Sequence, residues 1–258
     1  MVWGTFSTTH IATLAFALFF IIIMYTLLVD KTRKRQILSL FIISLLVLGF
    51  LIYSTLTSES IKDNLPLEFW TLSALLLPYA ILTRKSWCCN LLLLWTIQPL
   101  AQMVFNHNKA DMNVISGEFV VYYLTNVMVF ASPLLLFWLK LVERDCKYIK
   151  LSLIITAFVY TGVHFANIAL GTNYLYSISP AGNELLEFFR TIFPVDYWYV
   201  YLIIPVFYIY LTWWYLPEML DNRRKTKRLK QKLKFIDKYY EEYEDEYIDE
   251  IIEEKYGR

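Results

Sequence analysis

The amino-acid sequence predicts an all-α, polytopic membrane protein with seven transmembrane helices, an outer N-terminus and a charged helical tail in the cytoplasm. Of its 258 residues, 57% are hydrophobic and 18% are charged, whereas soluble domains carry about 25% charged residues. The charges lie in short runs between long apolar stretches, which excludes a disordered chain, a disulfide scaffold and almost any soluble single domain. A net charge of +1 provides no field that would recruit nucleic acid, so we expect no nucleic-acid partner.

Seven apolar segments reach the length of roughly 20 residues that is needed to cross about 30 Å of hydrocarbon. A chain in lipid must satisfy its own backbone hydrogen bonds, so each segment is predicted to be a helix. A transmembrane domain is therefore predicted over residues 1–217, followed by a cytoplasmic amphipathic helix over 218–258. The predicted spans are 11–29, 37–56, 65–82, 87–105, 119–139, 149–170 and 198–216.

Orientation follows from the basic residues, which concentrate in loops on the cytoplasmic side of a membrane. Three alternate connectors and the tail hold 21 Lys and Arg residues, and the opposite side holds only Lys62, Lys109 and Arg190. The asymmetry places the N-terminus outside and the C-terminus in the cytoplasm. We expect a multi-pass protein of the cell membrane.

The tail divides into two blocks of opposite charge. Residues 223–234 include eight basic and no acidic residues, and residues 241–254 include nine acidic and no basic residues. Apolar and aromatic residues recur at heptad spacing from Leu229 to Tyr247, through both blocks, which fits one long helix with an apolar stripe or a coiled coil. We expect the basic block to contact anionic lipid headgroups and the acidic block to remain available for a protein partner. The residues assigned to these contacts are Arg223, Arg224, Lys225, Lys227, Arg228, Leu229, Leu233 and Ile236.

Polar residues at membrane depth cost free energy and therefore indicate where function lies. With the predicted orientation they converge on one level in the outer half of the membrane. This level predicts a polar cavity that opens to the outer leaflet. Each of these residues also has an ordinary structural explanation. The Glu68 carboxylate would interact favourably with a helix dipole, the Gln and Asn amides would join helices by hydrogen bonds, and His164 would be a core histidine whose hydrogen bonds are made within the protein. The residues concerned are Glu68, Thr71, Gln98, Gln102, Asn126, His164 and Asn167.

No metal ion or cofactor is predicted. His10, His107 and His164 have no spacing typical of a zinc site, and with seven glycines the chain has no nucleotide-binding fingerprint. The three cysteines fall at the cytoplasmic face, where buried inert thiols are expected and lipidation of Cys88 and Cys89 is the alternative.

The connector after the sixth span contains an amphipathic pattern over residues 183–192 that Asn183 would cap. Its apolar side is suited to the membrane interface. This helix is interpreted either as a lid over the polar level or as a simple interfacial anchor.

Several motifs resemble a known family. They are Gly171-Thr172-Asn173-Tyr174-Leu175-Tyr176 with Pro180, residues 193–199, Leu65-Pro66-Leu67 with Leu72-Ser73, and Tyr122-Tyr123-Leu124 with Pro133. Together they resemble the YwaF-type integral membrane proteins, relatives of the human transmembrane-protein-164 acyltransferase. The resemblance implies seven spans and, in the vertebrate branch, acyl transfer between phospholipids that uses a cysteine and a histidine. The motif adds Asn173 and Tyr174 to the residues expected to line the cavity.

The chain departs from the pattern of this family at the positions that carry its chemistry. Glu68 and the residues Phe69-Trp70-Thr71 stand where the family has a histidine followed by a cysteine, and Asn126 stands where it has a second histidine. An asparagine cannot act as a general base at neutral pH. The favoured hypothesis is therefore a lipid-binding protein without catalysis, and enzymatic activity is left open.

Two alternatives remain. In the first, an acyltransferase or hydrolase uses Thr71 as nucleophile, His164 as base and Glu68 to orient the histidine. In the second, the chain is a transporter component, since Glu68 is the single acidic residue inside a predicted span. Under each of these hypotheses, the chain could also be a subunit of a membrane complex that it joins through its tail.

Overall fold

The computed structural model describes residues 2–57, 60–105, 111–182, 184–192 and 203–256. The described residues are predominantly helical and form no strand, only an isolated bridge between Val2 and Asn113. The predicted all-α class is confirmed.

Nine α-helices lie in the described residues. They are α1 (Thr8–Val29), α2 (Arg33–Thr57), α3 (Phe69–Thr83), α4 (Ser86–Trp95), α5 (Ile97–Phe105), α6 (Gly117–Trp138), α7 (Tyr148–Leu170), α8 (Glu184–Ile192) and α9 (Ile203–Tyr256). Short 3₁₀ turns occupy Ile61–Asn64 and Tyr174–Tyr176.

Five candidate spans are long and apolar enough to cross a membrane: α1, α2, α4 together with α5, α6 and α7. Helix α3 is apolar but has 15 residues, and the predicted seventh span begins outside the described residues. The number of seven spans and the orientation therefore stay predictions.

The predicted fourth span is broken into α4 and α5 at Thr96. Pro99 has no N–H to donate to the carbonyl three to four residues earlier, and its ring disfavours a straight helix there. The Thr96 hydroxyl donates to the carbonyl of Leu93 over 2.6 Å and lies 2.9 Å from the Tyr210 hydroxyl.

Helix α3 begins later than the sequence suggested. Asn64 ends a 3₁₀ turn, and Glu68 rather than Asn64 is the N-cap of the helix. The reason is Pro66, since a residue that precedes proline favours extended backbone and Leu65 is extended (φ −66°, ψ 148°). Glu68 therefore occupies the N-cap position of α3 and does not belong to the first turn of the helix.

The interior of the helical bundle is apolar and includes one buried cluster of α2, α3 and α6. Val47, Leu51, Ala74 and Val129 form this cluster, and Trp70 packs against it. Around the bundle, large apolar side chains such as Phe16, Phe19 and Phe158 are exposed, as expected for surfaces that face lipid. Cys88 and Cys89 are buried free thiols, as predicted.

The chain forms two compact units, Met1–Trp213 and Trp214–Arg258. In the second unit the basic side chains of residues 223–234 are exposed. Leu229, Leu233 and Ile236 are also exposed along the same helix, by 59%, 50% and 46%. The apolar stripe is therefore uncovered within the described residues of this unit.

Candidate functional site

The Glu68 carboxylate is held by groups from three parts of the chain. One oxygen accepts a hydrogen bond of 3.1 Å from the main-chain N–H of Leu175, and the other accepts one from the side-chain amide of Gln98. The Gln98 oxygen accepts in turn from the N–H of Trp70 at 2.9 Å. We call these four residues the Glu68 clasp, which joins the start of α3 to α5 and to the loop after α7.

The loop after α7, residues 171–179, has an unusual backbone. Gly171 is left-handed (φ 68°) and ends α7, and Leu175 and Tyr176 are also left-handed, at φ 53° and 54°. Side chains with a Cβ rarely adopt this conformation because of steric clashes. The strained turn directs the N–H of Leu175 toward the Glu68 carboxylate.

Asn167 and Asn173 hold this loop in place. Buried Asn167 donates to the Tyr174 carbonyl and the Ser177 hydroxyl over 2.8 and 2.7 Å. Its oxygen accepts from the Thr172 hydroxyl at 2.8 Å and from the Tyr174 N–H at 2.9 Å.

Asn173 closes the second half of the loop in the same manner. Its oxygen accepts from the N–H groups of Ile178 and Ser179, and its amide donates to the Ser179 carbonyl and hydroxyl, all within 3.1 Å. The two asparagines thus explain the Gly-Thr-Asn-Tyr motif as a means of forming this turn.

Tyr174 and His164 attach the loop to its neighbours. The Tyr174 hydroxyl accepts from the N–H of Leu65 at 2.7 Å and donates to the Lys62 carbonyl at 2.6 Å. The Nδ1 atom of His164 lies 3.1 Å from the Ser177 carbonyl, which can only accept, so Nδ1 carries a proton in this contact. The loop is therefore bonded to the approach to α3 and to α7.

Asn126 lies near the level of the clasp. Ala74 of α3 and Val129 of α6 share one buried cluster, and Trp70 and Asn126 each lie about one turn before these residues. The Asn126 amide donates to the Tyr122 carbonyl at 2.9 Å. Its buried oxygen, like that of Gln102 on α5, has no hydrogen-bond partner in the described part of the chain.

Thr71 and His164, the predicted nucleophile and base, have separate partners in this structure. The Thr71 hydroxyl accepts from the N–H of Glu68 at 3.1 Å and donates to its carbonyl at 2.8 Å. His164 contacts the Ser177 carbonyl. Their catalytic roles stay predictions, because these bonds do not join the two side chains.

The amphipathic segment forms helix α8, which packs beside the loop. Leu186 is buried against Tyr160, Tyr176 and Phe189, and Phe188 on the same helix is 58% exposed. The predicted cap Asn183 lies outside the described residues. The helix contacts α7 and the loop that carries Leu175, which is compatible with both a lid and an anchor.

Sequence reasoning missed the main-chain members of the clasp. It selected polar side chains, whereas Leu175 and Trp70 contribute N–H groups. Only the position of Leu175 inside the Gly-Thr-Asn-Tyr-Leu-Tyr motif could have indicated from the sequence that this residue belongs to the site.

It also missed the role of His10, which is fully buried. One ring nitrogen lies 2.9 Å from the N–H of Phe6, which donates to it, and the other lies 2.7 Å from the Met103 carbonyl. These contacts attach the N-terminal segment to α5. His107 lies outside the described residues.

The electrostatics of the clasp depend on one charged group. Within the described residues the ion pairs are Lys147–Asp145, Arg190–Glu187 and Lys225–Asp221, and none of them includes Glu68. The predicted spans contain a single basic residue, Lys150, at the cytoplasmic edge. The carboxylate is therefore stabilised by hydrogen bonds rather than by a cation in the described structure.

Comparison with known proteins gives one match. The model of a family described as the TMEM164 family matches residues 5–217 of the chain. No curated protein and no solved structure gives a significant match.

Proposed function

The chain belongs to the TMEM164 family of membrane proteins, and from this premise we propose that it binds a membrane lipid of the outer leaflet at the Glu68 clasp. The observation that carries the proposal is the half-buried Glu68 carboxylate, held by Gln98 and by a strained loop. Strained backbone persists where the surrounding structure over-determines it, and it concentrates at functional sites.

The polar residues at the level of the clasp support binding of a ligand. We call Glu68, Gln102 and Asn126 the polar layer. A buried polar atom without a hydrogen bond costs about 1–3 kcal/mol, and the oxygens of Asn126 and Gln102 have no partner in the described residues. A polar headgroup at this depth would supply the missing bonds. The exposed apolar surfaces of the bundle would leave the acyl chains of the same lipid in the membrane.

Binding without catalysis is the favoured form of this function. A nucleophilic hydroxyl needs a base that takes its proton, and the Thr71 proton is directed at the carbonyl of Glu68 in its own helix. Asn126, at the family's histidine position, cannot accept a proton at neutral pH. We assign Thr71 a structural role at the start of α3 and Glu68 a role in binding the ligand.

The tail is proposed to contact anionic headgroups through its basic block. The basic side chains of residues 223–234 are exposed, and each basic residue near an anionic surface contributes about 1 kcal/mol. Leu229, Leu233 and Ile236 would insert between the headgroups, as in other basic amphipathic helices. The acidic block would remain for a basic protein partner.

Lipid mass spectrometry of the purified protein tests the proposed function. We expect the full chain to retain a lipid through size-exclusion chromatography and Gln98→Leu to lose most of it. Gln36→Leu is the control, because Gln36 is likewise a glutamine whose side-chain amide donates within the protein, to the Leu28 carbonyl at 2.9 Å and far from the clasp. Equal lipid content in the wild type and both variants would refute the proposal.

The same preparation distinguishes binding from acyl chemistry. If the protein only binds, the retained lipid and an added lysophospholipid stay chemically unchanged over time. Transfer or hydrolysis that is lost in Thr71→Val and His164→Ala would instead establish the enzymatic alternative.

A further inference from the structure

We infer that the ligand of the polar layer is an uncharged lipid whose head donates hydroxyl groups, of the acylglycerol type. The inference rests on the proposed function and adds the chemical class of the ligand. It follows from the balance of donors and acceptors around Asn126, Gln102 and Glu68.

Asn126 offers a buried acceptor that has no hydrogen-bond partner in the described residues. Its nitrogen is identified by the contact with the Tyr122 carbonyl at 2.9 Å, since an amide oxygen placed there would face another acceptor. The Asn126 oxygen therefore points elsewhere, is fully buried and has no partner among the described residues. Only a donor can satisfy it.

Two further acceptors belong to the same layer. Gln102 lies one turn after Gln98 on α5, and its oxygen is likewise buried and without a partner in the described residues. The Glu68 carboxylate accepts from Gln98, from the Leu175 N–H and, as the N-cap in a capping box, from the Thr71 N–H, whereas its two oxygens can accept about four hydrogen bonds. The layer thus has unpartnered acceptors in the described residues, namely two buried amide oxygens and the remaining capacity of the Glu68 carboxylate.

The charge of the layer excludes a phosphate group. Glu68 has no ion pair in the described residues, and the outer halves of the predicted spans contain no Lys or Arg. A phosphate would lie beside a carboxylate that has no ion-paired cation among the described residues, and like charges at low dielectric repel strongly. A hydroxyl group satisfies an acceptor and adds no charge.

Competition between two matched lipids tests the inference. Full-length protein in detergent is loaded with a fluorescent diacylglycerol and titrated with dioleoylglycerol or with its acetyl ester, which has the same chains but no hydroxyl. We expect dioleoylglycerol to displace the probe at a concentration about tenfold lower or less, because the ester leaves buried acceptors unpaired. Phosphatidylcholine and phosphatidylglycerol should displace it no better than the ester.

Two asparagines provide a matched pair of variants. Asn126→Leu should abolish the preference for the free hydroxyl. Asn90→Leu should preserve it, although Asn90 is equally buried, donates to the carbonyl four residues earlier (Ser86, 2.6 Å) and has an oxygen without a described partner. If Asn126→Leu does not fold, Gln102→Leu tests the same acceptor layer, and it too should reduce the preference.

The outcomes separate the two proposals. Equal displacement by dioleoylglycerol and its ester, or stronger displacement by a phospholipid, would overturn the inferred class while lipid binding itself stands. A preference that survives both Asn126→Leu and Gln102→Leu would also overturn it. Failure of the proposed function is recognised separately, by the absence of any retained lipid from the purified protein.

Discussion

Replacing Asn167 with alanine should release the loop 171–179 from the end of α7. Asn167 makes four hydrogen bonds within 2.9 Å, three of them to Thr172 and Tyr174 and one to Ser177. An intramolecular hydrogen bond contributes about 1 kcal/mol net, so the loop would lose roughly 4 kcal/mol of stabilisation. The strain at Leu175 and Tyr176 favours the same opening.

Hydrogen exchange measures this loss directly. Each 1.4 kcal/mol changes an equilibrium constant tenfold, so the loop amides should exchange about three orders of magnitude faster in Asn167→Ala. Peptides that cover residues 171–179 report the change by mass spectrometry of the full chain in nanodiscs. Because the Leu175 N–H bonds to Glu68, retention of lipid should fall in the same variant.

Asn126→Ala is the control for this experiment. Asn126 is also fully buried, but its one described bond is to the carbonyl of Tyr122 in its own helix, so exchange of the loop should stay near the wild-type rate. Loop exchange in Asn167→Ala within about threefold of the wild type, a difference of under 1 kcal/mol, would refute the assignment of the loop's stability to Asn167.

Three further predictions concern the two ends of the chain and its orientation. His10→Ala removes two hydrogen bonds and a buried ring, so we expect the free energy of unfolding to fall by about 3 kcal/mol and the melting temperature by roughly 6–12 °C. The control Thr26→Ala removes an exposed hydrogen bond within α1 and should change the melting temperature little. Equal shifts in the two variants would refute the role of His10. Trypsin should cut the tail of the full chain more slowly in anionic than in neutral nanodiscs, and serine at both Leu229 and Leu233 should reduce that protection. Protection that is the same in both lipids would favour a protein partner. Protease outside intact cells should not cut beyond Leu216, and cleavage there without lysis would reverse the orientation.

The helices were predictable from sequence where the signal was local. The first and sixth spans, 11–29 and 149–170, correspond to α1 and α7 within three residues, because their apolar runs end at charged or polar residues. The break at Thr96 was not predicted, although Pro99 is visible in the sequence. Whether a proline ends, kinks or merely bends a helix depends on its tertiary surroundings, and here the hydroxyl of Thr96 at the break lies 2.9 Å from that of Tyr210.

The candidate site was only partly predictable. The predicted depth in the membrane placed Glu68 and Gln98 at one level, and in the structure the two side chains are hydrogen-bonded. The third span was predicted from residue 65, but α3 begins at Phe69, because Pro66 favours an extended backbone at Leu65. The proposed pairing of Thr71 with His164 had no basis in periodicity, since it required two distant spans to meet in a particular rotation.

The sequence by itself determined that this chain is a helical membrane protein, because apolar length and helical periodicity are properties of neighbouring residues. It also determined the family, because the Gly-Thr-Asn-Tyr motif is continuous. Only the tertiary structure decided which polar groups meet: Glu68 bonds to Gln98, 30 positions away, and to Leu175, 107 positions away. The physical reason is that such bonds depend on which helices are neighbours and on the conformation of a strained loop. Every residue except proline has the same main-chain N–H, so the identity of residue 175 does not indicate that its N–H binds a carboxylate.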